Sequence, residues 1–361
     1  MNSEWDTLID KVQSLQEQGS YESAVIVAIE ALQLAEHTVG HNHLDVATSM
    51  LTLAFLYDTL GQYVQAEPLY KRSLAIREKV LGSDHPDVAY NLSGLALLYR
   101  NQGQYAQAVP LCKRSLAILE NALGSDHPHV ATSLNNLAAL YCSQGQYAQA
   151  EPLFKRTLAI NENALGPDHP DGATSLNNLE VLYYSQGQYA QAEPLSKRTL
   201  AINENALGPD HPDVASSLSG HAVLCAKQGL YAQAEHLEKR SLAIREKSLG
   251  SEHPSVASSL NNLASLYDSQ GKYVQAEPLY KRALAIWENV LGSDHDLAKC
   301  LNNLAVMYEN LVQYAQAEQL YKRSLAIKEN LLRPDHPDLA WSLGCLAGLY
   351  RSEERRVGKE C

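Results

Sequence analysis

Histidine is the residue type in this sequence best suited to bind a metal ion, and eight of the 13 histidines recur at one place in a short motif. In most copies the motif reads Ser or Pro, then Asp-His-Pro. A zinc ion needs three or four ligands at one point, whereas these histidines are spaced about 42 residues apart. We therefore interpret them as residues that cap helices and pack loops, and we predict no metal site. The eight are His43, His85, His127, His169, His211, His253, His295 and His336.

Catalytic motifs are absent from the sequence. It has no Gly-rich phosphate-binding loop, no H-E-x-x-H segment and no G-x-S-x-G segment. The cysteines stand singly, without the C-x-x-C spacing of a zinc or redox site, at Cys112, Cys142, Cys225, Cys300, Cys345 and Cys361. We predict a cytoplasmic protein with reduced thiols that needs no cofactor and is not an enzyme.

Paired basic residues could form a positively charged surface. Glutamates such as Glu67 and Glu78 lie one or two helical turns from the first pair and are placed to neutralise it. The net charge of −12 also disfavours a phosphate-backbone ligand, and no apolar run is long enough to span a bilayer. We predict neither a nucleic acid nor a membrane partner. The pairs are Lys71-Arg72, Lys113-Arg114, Lys155-Arg156, Lys197-Arg198, Lys239-Arg240, Lys281-Arg282 and Lys322-Arg323.

Asparagine pairs are the strongest signal for binding. A primary amide offers both a hydrogen-bond donor and an acceptor, which suits an extended peptide backbone. Each pair stands between leucines with helical spacing, and we expect it on the side opposite the buried stripe. The alternative is that the amides only bridge adjacent helices. The pairs are Asn135-Asn136, Asn177-Asn178, Asn261-Asn262 and Asn302-Asn303.

A 42-residue repeat must position these side chains, and its clearest copy runs over residues 259–295. Each copy predicts two amphipathic helices joined by a glycine turn, since glycine enters a left-handed conformation cheaply. A second glycine, as at Leu81-Gly82, is expected to cap the second helix. Neither helix can bury its apolar stripe alone, so the copies must stack. The turn glycines are Gly19, Gly61, Gly103, Gly145, Gly187, Gly229 and Gly271, and Val312 takes the place of the next one.

The repeat divides the chain into four segments. Residues 1–43 form a divergent capping repeat, and 44–337 hold regular repeats. One residue is lost from the loop near residues 293–298, and 338–350 is the first helix of a truncated last repeat. The pattern then stops, and one codon choice for residues 351–361 (RSEERRVGKEC) matches a common sequencing adapter. We therefore interpret that tail as an artefact.

Two repeats depart from the pattern. Glu180 replaces a small residue, and a buried unpaired carboxylate would need water or a partner, for which His221 is a candidate. Cys225 replaces a tyrosine, and Ser196 and Glu238 replace an aromatic residue present at other copies. Sequence drift in a redundant array is the alternative explanation for these changes.

The repeat resembles the tetratricopeptide repeat. The spacing of that motif is matched by Leu260, Leu263-Ala264, Tyr267, Ala276 and Tyr280. The 42-residue form is similar to the repeats of kinesin light chains and to large bacterial and fungal arrays, and it covers residues 5–350. The resemblance implies an all-α, right-handed superhelical solenoid of about eight helical hairpins plus a truncated ninth.

The resemblance also implies a binding site. In such arrays the first helices line a concave groove, and Asn136, Asn178, Asn262 and Asn303 match the position that holds a bound peptide's backbone. Variable neighbours would add local specificity. The full candidate set is Asn135, Asn136, Asn177, Asn178, Asn261, Asn262, Asn302, Asn303, Arg100, Tyr184, Lys227, Asp268 and Lys299.

These observations favour a scaffold that binds a peptide or partner protein in the groove. A second hypothesis is the cargo-binding region of a kinesin light chain, a motor adaptor whose partners would be kinesin heavy chain or cargo. No heptad coiled coil precedes residue 5 to support the motor role. A third is the ligand-sensing arm of a larger nucleotide-binding signalling protein.

Overall fold

The computed structural model describes residues 4–290, 295–331 and 337–360, with side chains outside the description at 171, 295, 337 and 352–360. Every regular element within these ranges is an α-helix. The chain divides into two units, residues 1–186 and 187–361. Each unit is a stack of helical hairpins, as the repeat predicts.

The helices follow the 42-residue period. In the first unit they are α1 Glu4–Glu17, α2 Tyr21–Val39, α3 Leu44–Thr59, α4 Tyr63–Leu81, α5 Pro86–Asn101, α6 Tyr105–Leu123, α7 Pro128–Ser143, α8 Tyr147–Leu165 and α9 Pro170–Ser185. In the second unit they are α10 Tyr189–Leu207, α11 Pro212–Lys227, α12 Tyr231–Leu249, α13 Pro254–Ser269, α14 Tyr273–Val290, α15 His295–Asn310, α16 Tyr314–Leu331 and α17 Pro337–Glu360.

Small and aliphatic side chains let the helices pack closely. Within each hairpin that lies inside one unit the two helices pack on each other, and the second helix then packs on the first helix of the next hairpin of that unit. Ala66 and Ala234 are fully buried at the same point of their second helices. Tyr70, four residues further along α4, is also buried and lies close to Gly94 of α5. Apolar burial between hairpins therefore stabilises the stack, because no hairpin can complete a core alone.

The turn between the helices of a hairpin requires a left-handed residue. Gly61 and Gly271 have φ angles of 71° and 70°, which confirms the role predicted for the turn glycines. Val312 adopts φ 62° in the equivalent turn, a conformation that is unfavourable for a β-branched residue. The glycine at the end of the second helix is confirmed as its cap, and the N–H of Gly82 donates to Glu78 O.

Five of the eight motif histidines are observed to cap first helices, as predicted. The Nδ1 atom of His85 accepts a hydrogen bond from the backbone N–H of Asp87 in the first turn of α5. Such a bond satisfies one of the free N–H groups at a helix start. The same bond, 3.1–3.2 Å long, is made by His43, His85, His127, His211 and His253. Within the part of the chain described, no three His, Cys, Asp or Glu side chains are grouped as metal ligands.

The basic pairs are neutralised in two different ways. Lys71 pairs with Glu67 one turn earlier at 2.6 Å, as predicted. Arg72 pairs instead with Glu36 of the preceding hairpin, and Glu78 accepts Arg114 of the following one. The expectation that Glu78 neutralises its own helix is therefore wrong, because an arginine at this position points towards the neighbouring second helix.

A tyrosine of the first helix adds a further bond between hairpins. Tyr99 of α5 donates to Oε1 of Glu67 in α4 at 2.9 Å, and Tyr267 of α13 donates to Glu235 of α12 at the same distance. Lys71 and Tyr99 both contribute to lowering the pKa of Glu67, and the lysine has the larger effect. These bonds fix the register of one hairpin on the next.

The boundaries of the four sequence segments remain predictions, and two observations concern them. Helix α17 continues from Pro337 to Glu360, through most of the tail interpreted as an artefact. The shortened loop at 291–294 and His336 lie outside the described residues. Of the helices that are described, none combines the length and the apolar character that crossing a bilayer requires.

Candidate functional site

The asparagine pairs bridge neighbouring first helices. In the first unit, Nδ2 of Asn178 donates to Oδ1 of Asn135 at 2.6 Å. In the second unit, Nδ2 of Asn303 donates to Oδ1 of Asn261 at 3.1 Å. Bridging between neighbouring first helices is therefore observed for these residues, and peptide binding by the amides stays a prediction. One bridge uses one N–H of the donating amide and one oxygen lone pair of the accepting amide, so both amides keep further bonding capacity.

The two members of a pair differ in exposure. Asn261 and Asn302 are 5% and 2% exposed, so the expectation that both members lie opposite the buried stripe is wrong for these two residues. Asn136, Asn178, Asn262 and Asn303 are all partly exposed, whereas Asn177 is fully exposed. Asn178 and Asn303, both second members, thus reach the neighbouring first helix and the surface.

The variable neighbours are divided between the two units. Arg100 lies beside Asn136 in the first unit, and Lys227 lies beside Asn262 in the second. Tyr184 is in α9, Lys299 is exposed on α15, and Asp268 is half-buried with a pKa raised by desolvation.

Lys227 does not stand at the repeat position that Arg100, Tyr184 and Asp268 share, so grouping it with them is wrong by one residue. Three repeats separate Arg100 from Ala226, so the residue equivalent to Arg100 is Ala226, and Lys227 is the next residue along. This correction matters because an arginine and an alanine fill very different volumes at the same point of the surface.

A cavity of about 370 Å³ lies between α11, α12 and α13 in the second unit, and we call it the Glu238 pocket. Two first helices form its sides and the second helix between them contributes Glu238, so it opens on the surface that carries the partly exposed asparagines. Its lining residues are Ala222, Val223, Ala226, Lys227, Tyr231, Ala234, Glu238, Asn262, Ser265, Leu266 and Ser269.

Glu238 is a buried carboxyl group without a full set of partners. It is 1% exposed, and its Oε1 accepts a hydrogen bond from Ser219 at 2.9 Å. Its Oε2 is buried and has no hydrogen-bond partner among the described residues. Desolvation raises the pKa of Glu238 to about 7, against smaller lowering effects of Ser219, Arg245, Asn262 and Ser259. The nearby Arg245 guanidinium donates instead to Ser259 and to Ser255 O.

At the equivalent position of the first unit, three repeats earlier, side chains fill the cavity almost completely. Cys112 stands where Glu238 does, and the cavity beside it has only about 10 Å³. Arg100 and Leu97 line that cavity, where the second unit has the smaller Ala226 and Val223. Burial raises the pKa of the Cys112 thiol to about 11, so this position is an uncharged, packed part of the core.

The Glu238 pocket was not predicted. The sequence does contain a signal for it, because the repeat that replaces the aromatic residue by Glu238 also has a small residue, Ala226, at the variable position that Arg100 occupies in the first unit. The proposed pairing of Glu180 with His221 stays a prediction. The Nε2 atom of His221 lies 3.8 Å from the Cys225 sulfur, and burial lowers the pKa of the ring.

Comparisons with known proteins identify the same repeated helical hairpin that the structure shows. The tetratricopeptide repeat model matches the chain in overlapping segments, at residues 6–79, 59–109, 87–163, 129–205, 181–247, 214–289, 255–330 and 296–356. A comparison of the sequence with curated proteins gave no match.

Several solved structures are similar. A putative kinesin light chain from Podosopora anserina, described as having nearly identical TPR-like repeats, is 31% identical to this chain, with TM-score 0.52 over 58% of this chain and 99% of that chain. BtubC (BKLC) from P. vanneervenii is 25% identical, with TM-score 0.54 over 69% of this chain and 94% of that one. The apo form of RapI, 16% identical with TM-score 0.59 over 79% of this chain and 98% of that one, is similar in fold alone. The chain therefore belongs to the tetratricopeptide repeat family, and its repeats are of the kinesin light chain-like type.

Proposed function

We propose that the protein is a cytoplasmic, non-catalytic scaffold that binds an extended peptide segment of a partner protein on its first helices. The observation that carries this proposal is the repeated amide bridge, Asn178 to Asn135 in one unit and Asn303 to Asn261 in the other. A bridge holds the amide in one orientation before a ligand arrives, which lowers the entropic cost of binding. The amide's remaining donor and acceptor match a peptide backbone.

Variation around the constant amides would supply specificity. Arg100, Tyr184 and Asp268 stand at equivalent points of alternate repeats, and each offers a different charge or hydrogen-bonding group. A ligand that crosses several repeats would contact several of them. General affinity from the amides and selectivity from their neighbours are then separable by mutation.

The test compares two neighbouring asparagines of α9. Asn178→Ala removes a bridging amide, whereas Asn177→Ala removes an exposed amide on the same helix and serves as the matched control. Partners are recovered by affinity pull-down and identified by mass spectrometry, and circular dichroism monitors folding. We expect about fivefold weaker recovery with Asn178→Ala, since one hydrogen bond is worth about 1 kcal/mol. Equal recovery with both variants would overturn the role of the bridging amides.

A motor-adaptor function is the second candidate, supported by the 31% identity to a putative kinesin light chain. Under this proposal the partners are cargo proteins and, through a further segment, kinesin heavy chain. Full-length transcripts test it, since heptad repeats encoded upstream of these residues would support a coiled coil that binds the motor. Recovery of kinesin heavy chain in the pull-down would support it directly, and transcripts that encode no heptads would count against it.

A further inference from the structure

We propose that the Glu238 pocket binds the side chain of a lysine or arginine from the bound peptide, with the Glu238 carboxylate as its acceptor. This inference deepens the proposed function, since it names the chemistry of one ligand residue. It rests on three observations: an incompletely bonded buried carboxyl, a cavity that reaches it, and walls that suit a long side chain.

The carboxyl group has no ion-pair partner in direct contact. Among the described ion pairs none includes Glu238, and Arg245, the cation that acts on its pKa, donates to Ser259, Ser255 O and Ser216 instead. A buried carboxylate without a cation or a full set of hydrogen bonds is unfavourable. An ammonium or guanidinium group at Oε2 would supply both the charge and the missing donor.

The cavity has the right size and walls. A volume of about 370 Å³ is many times the share of one water molecule in liquid water, about 30 Å³. Ala222, Ala226 and Leu266 line it beside the carboxyl. Lysine and arginine place an apolar stem behind a charged head, so the stem would contact these alanines while the head reaches Glu238.

The surroundings favour a cation over an aromatic ring. Tyr280 fills the equivalent position in the next repeat, so the pocket has room for a ring, but a ring would leave the carboxyl charge unpaired. The net charge of −12 also attracts basic peptides. Lys227 lies at the pocket with an exposed side chain, and its ammonium can turn into solvent.

The first experiment selects peptides from a random display library on the full chain. We expect lysine or arginine to be enriched at one peptide position on the wild-type protein. The enrichment should be lost on Glu238→Gln, which keeps the size but removes the charge, and on Glu238→Tyr, which restores the aromatic residue found at Tyr280. Glu252→Gln removes one exposed carboxylate instead, and enrichment should persist on it. Peptides with an aromatic or aliphatic residue at that position would overturn the proposal and leave the scaffold function intact.

The second experiment does not depend on peptide binding. Alanine methyl NMR of the full chain, with Ala222 and Ala234 as reporters in the pocket, follows titration with Nα-acetyl-arginine amide and with the norleucine analogue. We expect shifts with the arginine compound, about tenfold weaker binding to Glu238→Gln, and no comparable shifts with norleucine.

The two experiments separate the two proposals. If no peptide is selected but the arginine amide binds, the scaffold proposal fails and the pocket assignment stands. Equal binding of the arginine and norleucine compounds would overturn the pocket assignment. So would unchanged binding of the arginine compound to Glu238→Gln.

Discussion

One structural position behaves differently in the two units of the chain. Beside Cys112 the first helices close over a cavity of about 10 Å³, and beside Glu238 they leave about 370 Å³. The backbone pattern around the two is the same, and the difference lies in the side chains that fill the space. Arg100 and Leu97 close the first cavity, whereas Ala226 and Val223 leave the second open.

This difference shows how a solenoid gains a local site without changing its fold. Each hairpin contributes to stability mainly through its neighbours. A repeat can therefore bury an unfavourable group while the stack around it supplies the stability. Placing a carboxyl in the core has an energetic cost, and that cost is largest when the carboxyl is charged.

The largest change in the free energy of unfolding is expected from Glu238→Gln at high pH. The folded pKa of about 7 lies above the ordinary value of 4.5. Between these pH values the folded protein binds more protons than the unfolded chain, so stability falls as pH rises. The total loss is about 3 kcal/mol, since each pKa unit corresponds to about 1.4 kcal/mol. Arg245 stays charged throughout this range and cannot cause the change.

Denaturant unfolding at pH 5 and pH 8, followed by tryptophan fluorescence, measures this effect, and one of the three tryptophans, Trp287, lies in the adjoining α14. Glu238→Gln should gain stability over wild type at pH 8 and little at pH 5. Glu252→Gln, at an exposed carboxyl, should show no such difference. A gain that is equal at both pH values would show that Glu238 is already ionised at pH 5 in the folded protein.

A second prediction concerns the stability of the repeat in which an aromatic residue, Tyr70, fills the position equivalent to Cys112 and Glu238. A methyl group added at Gly94 would lie 2.7 Å from Cε1 of the buried Tyr70. Gly94→Ala should therefore destabilise the protein by about 1–3 kcal/mol through overpacking, less the gain in helix propensity. Tyr70→Cys reproduces the smaller residue of the Cys112 repeat, where Asn136 replaces the glycine.

The double variant Tyr70→Cys/Gly94→Ala separates the clash from the cost of the cavity. We expect a favourable coupling between the two changes in a double-mutant cycle measured by urea unfolding. Gly344→Ala is a matched control, since nothing lies within 4 Å of a methyl group added there. It should be neutral or stabilising. Additive effects of the two substitutions would contradict the steric explanation.

The repeat, the helices and the caps were predictable because each depends on residues close together in sequence. The turn glycine and the helix beginning at Tyr63 follow from one copy of the pattern. The Lys71 pair was predictable for the same reason, since both partners lie on one helix. The Arg72 pair was not, because its partner belongs to another hairpin.

The Glu238 pocket also depends on contacts between hairpins. Three helices must bring Ala226, Glu238 and Asn262 together, and none of these residues identifies a cavity by itself. A sequence can indicate such a pocket only when two unusual residues, here Glu238 and Ala226, occur in the same repeat. Grouping Lys227 instead of Ala226 with Arg100 hid one of these two residues.

A third prediction closes the open pocket. Ala226→Arg introduces the residue that Arg100 provides in the first unit, and its guanidinium should reach Glu238. The expected gain is about 1.5 kcal/mol at pH 8, since hydrogen bonds to charged groups are worth about 1.5–3 kcal/mol before the ordering of a long side chain is subtracted. The pKa of Glu238 should fall, which NMR titration of the carboxyl carbon can follow.

The same substitution in a Glu238→Gln background should give no gain in stability. A gain of equal size there would show that filling the cavity, and not the charge pair, is responsible.

The smallest effect is expected in the turn before α16, where Val312 has φ 62° and the equivalent Gly271 has φ 70°. A left-handed L-residue costs about 1–2 kcal/mol, and glycine avoids that cost while its greater unfolded-state entropy opposes the gain. Val312→Gly should therefore stabilise the protein by about 0.5–1 kcal/mol in urea unfolding.

Two further variants serve as controls. Val312→Ala should stabilise the protein less, because alanine keeps the strained conformation, and Gly271→Val should destabilise the equivalent turn. Hydrogen exchange in α16 should slow with Val312→Gly, since opening of this hairpin becomes less favourable. If Val312→Gly is less stable than wild type, contacts of the half-exposed valine side chain outweigh the strain in its backbone.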